Sequence, residues 1–162
     1  GRGVAQKALS MGMRVIAYDP FVPEEKMQEM HVMPVCLEDG FKQADFASIH
    51  IICNEKTTNL ITKKYFSMMK PTAYLINTAR GKILNEAELI EAVENKTIAG
   101  AIIDVVNVEP PTGREKIFNT GNITVTPHIC YISAESYKEL KERTAYNAIK
   151  MLRGERPDDL VN

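Results

Sequence analysis

Hydrophobic residues in this chain fall into short runs that alternate with segments of helical periodicity. The runs are apolar at consecutive positions, which is typical of strands covered on both faces. Strands of that kind belong to a parallel sheet with helices on both sides. We therefore predict an α/β fold built on a doubly wound parallel sheet. The predicted strands are 14–18, 46–52, 73–76, 98–106 and 123–127, and the predicted helices are 2–11, 24–30, 63–69, 86–94 and 134–152.

Two of the predicted helices carry capping signals at their starts. Asn85 is followed three residues later by Glu88, and Ser133 directly precedes the long amphipathic segment 134–152. Asparagine and serine side chains accept hydrogen bonds from the first backbone N–H groups of a helix. Both starts are therefore expected to be fixed by the local sequence.

The composition fits one globular domain. Of the 162 residues, 44% are hydrophobic and 25% are charged, which excludes disordered and fibrous classes. Lys and Arg number 20 against 21 Asp and Glu, for a net charge of -1, so neither nucleic acid nor an acidic membrane is an expected partner. No repeat or low-complexity linker divides the chain. We expect one domain over 1–162, with a tail at 156–162.

Hydropathy and cysteine usage predict a cytoplasmic protein. The longest apolar stretches, 46–53 and 98–103, are far shorter than the roughly 18 residues that cross a bilayer. The three cysteines form no C-x-x-C pair and are typical of reduced thiols. The chain opens on Gly1 without an initiator methionine or a leader, as expected for a piece of a longer protein.

Polar residues follow four of the apolar runs. Ligands of open parallel sheets bind beyond the carboxyl ends of the strands, so these positions are the first candidates for a site. They are Asp19, the segment 77–81, the segment 104–109 and His128. We expect them to meet in one crevice.

Asp19 is a candidate for binding a dinucleotide. It lies 18 residues beyond Gly1, close to the spacing at which an acid accepts hydrogen bonds from an adenosine ribose. A carboxylate there would repel a 2'-phosphate, which favours NAD over NADP. The alternative is a turn aspartate, because Asp-Pro sequences are common in loops.

Three further residues suit the chemistry of a 2-oxo acid. Arg80 presents a fork-shaped cation that matches a carboxylate, although it could equally be a surface arginine on a turn. His128 could take and return a proton near neutral pH, or could be a satisfied structural histidine. Glu109 could hold that imidazole in one tautomer and favour its charged form, or be a solvated loop acid.

Taken together, the three side chains predict hydride transfer. Arg80 would anchor the carboxylate of a 2-oxo or 2-hydroxy acid, His128 would handle the hydroxyl proton, and a nicotinamide would carry the hydride. No G-x-S-x-G elbow marks a nucleophile, and the histidines lack metal-ligand spacing. The sequence therefore favours an oxidoreductase without a metal over a hydrolase.

Several short motifs occur in the order found in a known family. They are Gly1-Arg2-Gly3-Val4-Ala5, Gly12-Met13-Arg14-Val15, Tyr18-Asp19-Pro20, Met69-Lys70-Pro71, Asn77-Thr78-Ala79-Arg80-Gly81, Ile98-Ala99-Gly100-Ala101, Asp104-Val105, Glu109-Pro110, Thr126-Pro127-His128-Ile129 and Leu152-Arg153-Gly154-Glu155-Arg156-Pro157. On these motifs the chain resembles, essentially end to end, the NAD-binding domain of D-isomer-specific 2-hydroxyacid dehydrogenases, the group that contains D-3-phosphoglycerate dehydrogenase. The resemblance implies a Rossmann-type fold.

The resemblance also implies a role for each candidate residue. Arg80 would bind the substrate, and Glu109 with His128 would form the acid–base pair. The implied substrate is a small 2-hydroxy or 2-oxo acid of the phosphoglycerate, hydroxypyruvate or glyoxylate type, with lactate-type acids also open, and the implied assembly is a homodimer. The implied NAD-binding residues are Gly1, Asp19, Ile52, Thr78, Ala79, Asp104 and Tyr131.

Gly1 aligns with the third glycine of the family's G-x-G-x-x-G fingerprint. The first two glycines and the strand before them, which is central in such sheets, are therefore absent here. The family's separate substrate domain is absent too. We expect a gap in the sheet or a strand supplied by another molecule. We also expect this isolated chain to be inactive and its parent protein to be an NAD-dependent 2-hydroxyacid dehydrogenase.

Two segments depart from the family pattern and leave the pocket shape open. Ile52 and Cys53 stand where a proline and a leucine usually follow His50, and Cys130-Tyr131-Ile132 replaces small residues after the histidine. Neither His50 nor His31 is predicted to act in the site.

The alternative function, from a different class, is a non-catalytic NAD(H)-sensing module that controls assembly with protein partners.

Overall fold

The apolar runs of the sequence form six short strands in a computed structural model, which describes residues 1–160. By its internal contacts the chain divides into two compact units, Gly1–His128 and Ile129–Asn162. The strands are β1 (Ile16–Ala17), β2 (Met33–Pro34), β3 (Phe46–Ile49), β4 (Tyr74–Asn77), β5 (Gly100–Ile103) and β6 (Ile123–Val125). The helices are α1 (Arg2–Ser10), α2 (Glu24–Glu29), α3 (Leu37–Gln43), α4 (Lys63–Phe66), α5 (Glu86–Glu94) and α6 (Ala134–Leu152), with short 3-10 helices at Gly81–Ile83 and Lys116–Asn119.

All strand pairs are parallel, and the predicted α/β fold is confirmed. Four strands form one sheet in the order β3-β4-β5-β6, and β1 pairs with β2 in a second sheet. The register places Ile49, Asn77, Ile103 and Val125 in one row across the carboxyl ends of the larger sheet. The polar residues that follow these positions therefore leave the sheet along one edge.

The expected gap lies between the two sheets. Within the described residues, β1 pairs only with β2, and β3 pairs only with β4. Helix α1 has no buried residue, and Val4 on it is 49% exposed. On the β3 side, Phe46 is 56% exposed. Apolar side chains on either side of this gap are thus exposed to solvent.

The predicted element boundaries needed correction at several places. The strand predicted over 46–52 ends at Ile49, and the one over 98–106 ends at Ile103. Beyond those points the backbone turns away from the ladder to form loops at the sheet edge. The helix predicted over 63–69 is a single turn.

Strand β2 and helix α3 were not predicted, and neither were the two short 3-10 helices. Strand β2 has only two residues, and helix α3 contains a glycine, so neither leaves a periodic signal. Pro34 is tolerated in β2 because this is an edge strand, where a missing N–H faces no partner.

The core of the first unit is built around β4 and β5. Leu75 on β4 and Phe66 on α4 are wholly buried, as are Leu89 on α5 and Ile117 in the second 3-10 helix. These residues belong to one contiguous apolar cluster. Helices therefore pack onto the sheet through its central strands and hold its register.

The second unit consists of helix α6, capped at its N-terminus, and a C-terminal segment that folds back to contact the helix. The Ser133 hydroxyl accepts a hydrogen bond from the Ser136 backbone N–H at 3.1 Å, which confirms the predicted start of α6. In the predicted tail, Asp159 pairs with Arg143, and Asp158 pairs with Lys150 at 2.6 Å. Positions 161 and 162 of that tail lie outside the described residues.

None of the described helices combines the length and the hydropathy needed to cross a membrane.

Replacing Leu75 by alanine tests the role of the central strands. We expect the free energy of unfolding to fall by about 2 to 5 kcal/mol, because the change opens a cavity in a fully buried site. Urea unfolding followed by circular dichroism measures the loss. The matched control is Leu152→Ala, which removes a side chain that is 88% exposed and should change the free energy by less than about 0.5 kcal/mol. Equal losses in the two variants would contradict this account of the core.

Candidate functional site

A cleft of about 860 Å³ lies at the carboxyl ends of the strands. Its walls come from the segments that follow β3, β4 and β5, together with the start of α1. The cleft lies beyond the strand ends as the sequence predicts, and residues of the segments 77–81 and 104–109 line it, whereas Asp19 and His128 are not among its lining residues. The residues that line it are Gly1, His50, Ile51, Ile52, Cys53, Thr78, Ala79, Arg80, Gly81, Lys82, Val106, Asn107, Val108 and Glu109.

Arg80 enters the cleft from a turn that follows β4. The turn is held by Asn77, whose side chain is fully buried. The Asn77 amide nitrogen donates to the Arg80 carbonyl at 2.9 Å, and its amide oxygen accepts from the Ala79 N–H at 3.0 Å. One buried side chain therefore satisfies two backbone groups of the turn and fixes the root of the arginine.

Glu109 lines the same cleft and is bonded to His128. The Oε2 atom of Glu109 lies 3.2 Å from Nδ1 of His128, and its Oε1 accepts from the Val106 N–H at 3.3 Å. Both side chains are partly exposed, at 36% for Glu109 and 41% for His128. A carboxylate at Nδ1 directs the proton-exchanging role of the imidazole to Nε2.

The backbone at His128 lies in the left-handed region, with φ of 54°. The residue follows β6 by way of Thr126 and Pro127, and its N–H donates to the Thr126 carbonyl at 3.0 Å. Left-handed backbone is unfavourable for most residues with a side chain and is frequent at functional sites. This tight turn sets the direction in which the His128 side chain projects from the backbone.

Asp104 is buried directly after β5, where it ties two strand ends together. It is 2% exposed, and its Oδ1 accepts a hydrogen bond from the Thr126 hydroxyl at 2.5 Å. Its backbone N–H continues the ladder by donating to the Asn77 carbonyl at 2.9 Å. The side chain does not line the cleft, so its implied contact with the cofactor stays a prediction.

The other implied cofactor residues fall into two groups. Gly1, Ile52, Thr78 and Ala79 line the cleft. Asp19 follows β1 outside that set of lining residues, and Tyr131 belongs to the second unit. Asp19 also accepts a hydrogen bond from the Phe21 N–H at 2.9 Å, which is the turn geometry of the alternative interpretation. An exposed turn carboxylate of this kind keeps acceptor positions available for a ribose.

His50 also lines the cleft, although the sequence predicted no role for it. Desolvation by surrounding residues lowers its pKa. Its Nε2 lies 2.8 Å from the Ser48 hydroxyl, a contact that a neutral ring makes as donor or acceptor. The His50 ring therefore forms part of the cleft wall and is held there by Ser48.

The sequence did not predict the residues whose hydrogen bonds and close packing hold the loops of the site in place. Asn77 and Gly81 were noticed only as parts of a motif, and Thr126 only as part of the segment before His128. The available signal was an asparagine at the end of a buried strand, where a polar side chain must find partners. The partners themselves are set by loop geometry that no local pattern encodes.

Comparisons with known proteins agree on one family. The model of the NAD-binding domain of D-isomer-specific 2-hydroxyacid dehydrogenases matches residues 1–130. Glyoxylate reductase of Korarchaeum cryptofilum is 36% identical over 162 residues, which cover 100% of this chain and 49% of that protein. Hydroxypyruvate reductase of Thermotoga maritima is 38% identical over 142 residues, covering 86% of this chain and 45% of the relative.

A solved structure shows the same fold. D-lactate dehydrogenase from Lactobacillus jensenii, crystallised with NAD+, superposes with a TM-score of 0.86 at 33% identity. The match covers 100% of this chain and 52% of that one. The chain thus spans about half the length of the relatives that it matches, and its fold is of the Rossmann type.

Replacing Asn77 by alanine tests how the Arg80 turn is held. The change leaves the Ala79 N–H without its acceptor and removes one of the two donors to the Arg80 carbonyl, which still accepts from the Ile83 N–H at 3.3 Å, so we expect a loss of roughly 1 to 3 kcal/mol in the free energy of unfolding. Urea titration monitored by circular dichroism gives the value. Asn119→Ala, at an exposed position, serves as the control and should be close to neutral. A neutral Asn77→Ala would mean that the turn is held by other contacts.

Proposed function

The chain belongs to the D-isomer-specific 2-hydroxyacid dehydrogenase family as an NAD-binding domain, and we propose that it is the cofactor domain of an enzyme interconverting D-2-hydroxy acids and 2-oxo acids. The observation that carries the proposal is the grouping of three side chains. Arg80 and Glu109 line one cleft, and Glu109 is bonded to His128. We propose that residues 1–162 make up most of this domain and that the substrate domain lies elsewhere in a longer protein.

The residues around the cleft fit NAD, the cofactor of this family of domains. Ile51, Ile52 and Ala79 supply an apolar wall suited to a flat aromatic ring. Gly1 brings the N-terminus of α1 to the cleft, where backbone N–H groups without helical partners suit phosphate oxygens. Asp19 supplies a carboxylate at the end of β1 for a ribose diol. Bound NAD accepts or supplies the hydride of the reaction.

The chain's own side chains would handle the acid substrate and its proton. The Arg80 guanidinium would bind the substrate carboxylate through paired N–H donors and so fix its orientation. The Nε2 of His128 would give a proton to the 2-oxo oxygen during reduction and take it back during oxidation. Glu109, at Nδ1, would hold the ring and stabilise its protonated form.

We propose short 2-oxo acids as substrates, with glyoxylate and hydroxypyruvate first. Two relatives that cover most of this chain are named for those acids. 3-Phosphohydroxypyruvate and pyruvate stay in the panel of candidates, since this chain spans only about half the length of those relatives.

We further propose that the full-length protein is a cytoplasmic homodimer. The cysteine pattern supports a reducing compartment, and the family resemblance supports a dimer. Size-exclusion chromatography with light scattering on the full-length protein tests the assembly.

Variants of the full-length protein test the assigned chemistry. We expect His128→Asn to lower kcat by about 10²- to 10⁴-fold, because asparagine suits the left-handed backbone but cannot transfer the proton. Arg80→Gln should raise KM for the acid by about 10- to 100-fold through loss of charge-assisted hydrogen bonds. NADH oxidation at 340 nm with the four acids measures both constants.

Two results would contradict this assignment. One is unchanged turnover in His128→Asn. The other is appreciable turnover by the 162-residue chain alone, which we expect to be inactive. Full-length protein that binds NADH, reduces none of the acids and changes its oligomeric state with NADH would instead favour the NAD(H)-sensing module.

Replacing Asp19 by alanine tests its contact with the cofactor. Loss of a charged acceptor for the ribose should weaken NADH binding by about tenfold or more, while NADPH binding stays equal or improves. Fluorescence titration of the full-length protein with each nucleotide gives the two dissociation constants. Asp45→Ala removes an exposed carboxylate that pairs with Lys70 and should leave both unchanged. An unaltered NADH affinity in Asp19→Ala would leave Asp19 as a turn residue only.

A further inference from the structure

The carboxylate of Glu86 reaches into the loop that carries Glu109. Glu86 is the first residue of α5 and is half-buried. Its Oε2 accepts a hydrogen bond from the Asn107 backbone N–H at 3.1 Å. Asn107 lies two residues before Glu109, in a loop outside the strands and helices. A side chain of a regular helix therefore holds an irregular segment of the candidate site.

Gly81 meets the same peptide group of that loop. A Cβ atom at Gly81 would lie 2.2 Å from the carbonyl carbon and oxygen of Val106, and 2.6 Å from the Asn107 nitrogen. Only a residue without a side chain allows so close an approach. Because Gly81 directly follows Arg80, the peptide joining Val106 and Asn107 lies against the turn that carries the arginine.

The loop then orients Glu109 through its own backbone. The Val106 N–H donates to Oε1 of Glu109 at 3.3 Å, while Oε2 lies 3.2 Å from Nδ1 of His128. The Val106 N–H belongs to the peptide directly before the one that Glu86 and Gly81 contact, so the placement of these two consecutive peptide groups sets the separation of Glu109 from the Arg80 turn. It also sets the direction from which Glu109 approaches the imidazole.

We propose that Glu86 is a positioning residue for the acid–base pair, holding the Val106–Asn107 peptide against Gly81 so that Glu109 keeps its geometry toward His128. Glu86 lies outside the residues that line the cleft, so it acts through the loop and not on the substrate. The kinetic consequence rests on the proposed function, whereas the structural consequence does not.

Amide hydrogen exchange in the 162-residue chain tests the structural part. In Glu86→Ala, the Asn107 amide loses its acceptor, and its exchange rate, read by NMR, should rise by at least about tenfold. Glu86→Gln keeps an oxygen acceptor and should exchange at close to the original rate. Glu91→Ala is the matched control, because it removes a carboxylate of the same helix that pairs with Lys63 at 2.8 Å and makes no hydrogen bond or ion pair with the loop of Asn107 among the described residues. Unchanged Asn107 exchange in Glu86→Ala overturns the proposal.

Steady-state kinetics of the full-length protein test the functional part. With rates expressed per NADH-binding site, Glu86→Ala should lower kcat for the best acid of the panel by about 10- to 100-fold, with KM changed by less than about threefold. The solvent deuterium isotope effect on kcat should rise, because proton transfer becomes slower. Glu86→Gln should restore both quantities, and Glu91→Ala should change neither.

The outcomes separate the two claims. A merely structural role for Glu86 would reduce the number of NADH-binding sites while leaving kcat per site and the isotope effect unchanged, which overturns positioning. Wild-type protein that reduces none of the acids contradicts the proposed function instead. The exchange rates of the Asn107 amide then decide alone whether Glu86 holds the loop.

Discussion

The parallel register of β3 to β6 is the constraint on which the site depends. It places the last residues of four strands in one row, so the polar segments that follow leave the sheet along one edge. A slip of one residue in any strand would exchange its buried and exposed faces, at the cost of side chains such as Leu75 and Ile103. Burial of apolar residues therefore fixes where the segments that carry Arg80 and Glu109 leave the sheet.

Beyond the strand ends, buried hydrogen bonds take over the positioning. Asn77 closes the Arg80 turn, and Asp104 accepts a bond from Thr126 near the turn that carries His128. A buried polar group without a partner is costly, so each of these side chains admits few arrangements of its loop. The sheet gives the site its location, and the buried polar groups give it its geometry.

Much of the fold followed from the sequence, because buried parallel strands leave uninterrupted apolar runs and their ends carry the candidate residues. Arg80 and Glu109 were recognisable as candidates because each stands just beyond such a run. The bond between Glu109 and His128 was not encoded locally, since the two residues lie 19 positions apart in the sequence with mostly irregular chain between them. The two-residue strand β2 was missed for a related reason, as it is too short for a periodic pattern and is held by pairing with β1.

The left-handed backbone of His128 restricts what evolution can place at that position. Asparagine, aspartate and glycine tolerate such a φ, whereas β-branched side chains are strongly disfavoured there. A descendant that no longer needed the imidazole would keep this corner of the protein most easily by adopting one of those three residue types. The left-handed backbone and the proton-transfer role proposed for the imidazole thus restrict the residue type at position 128 independently of each other.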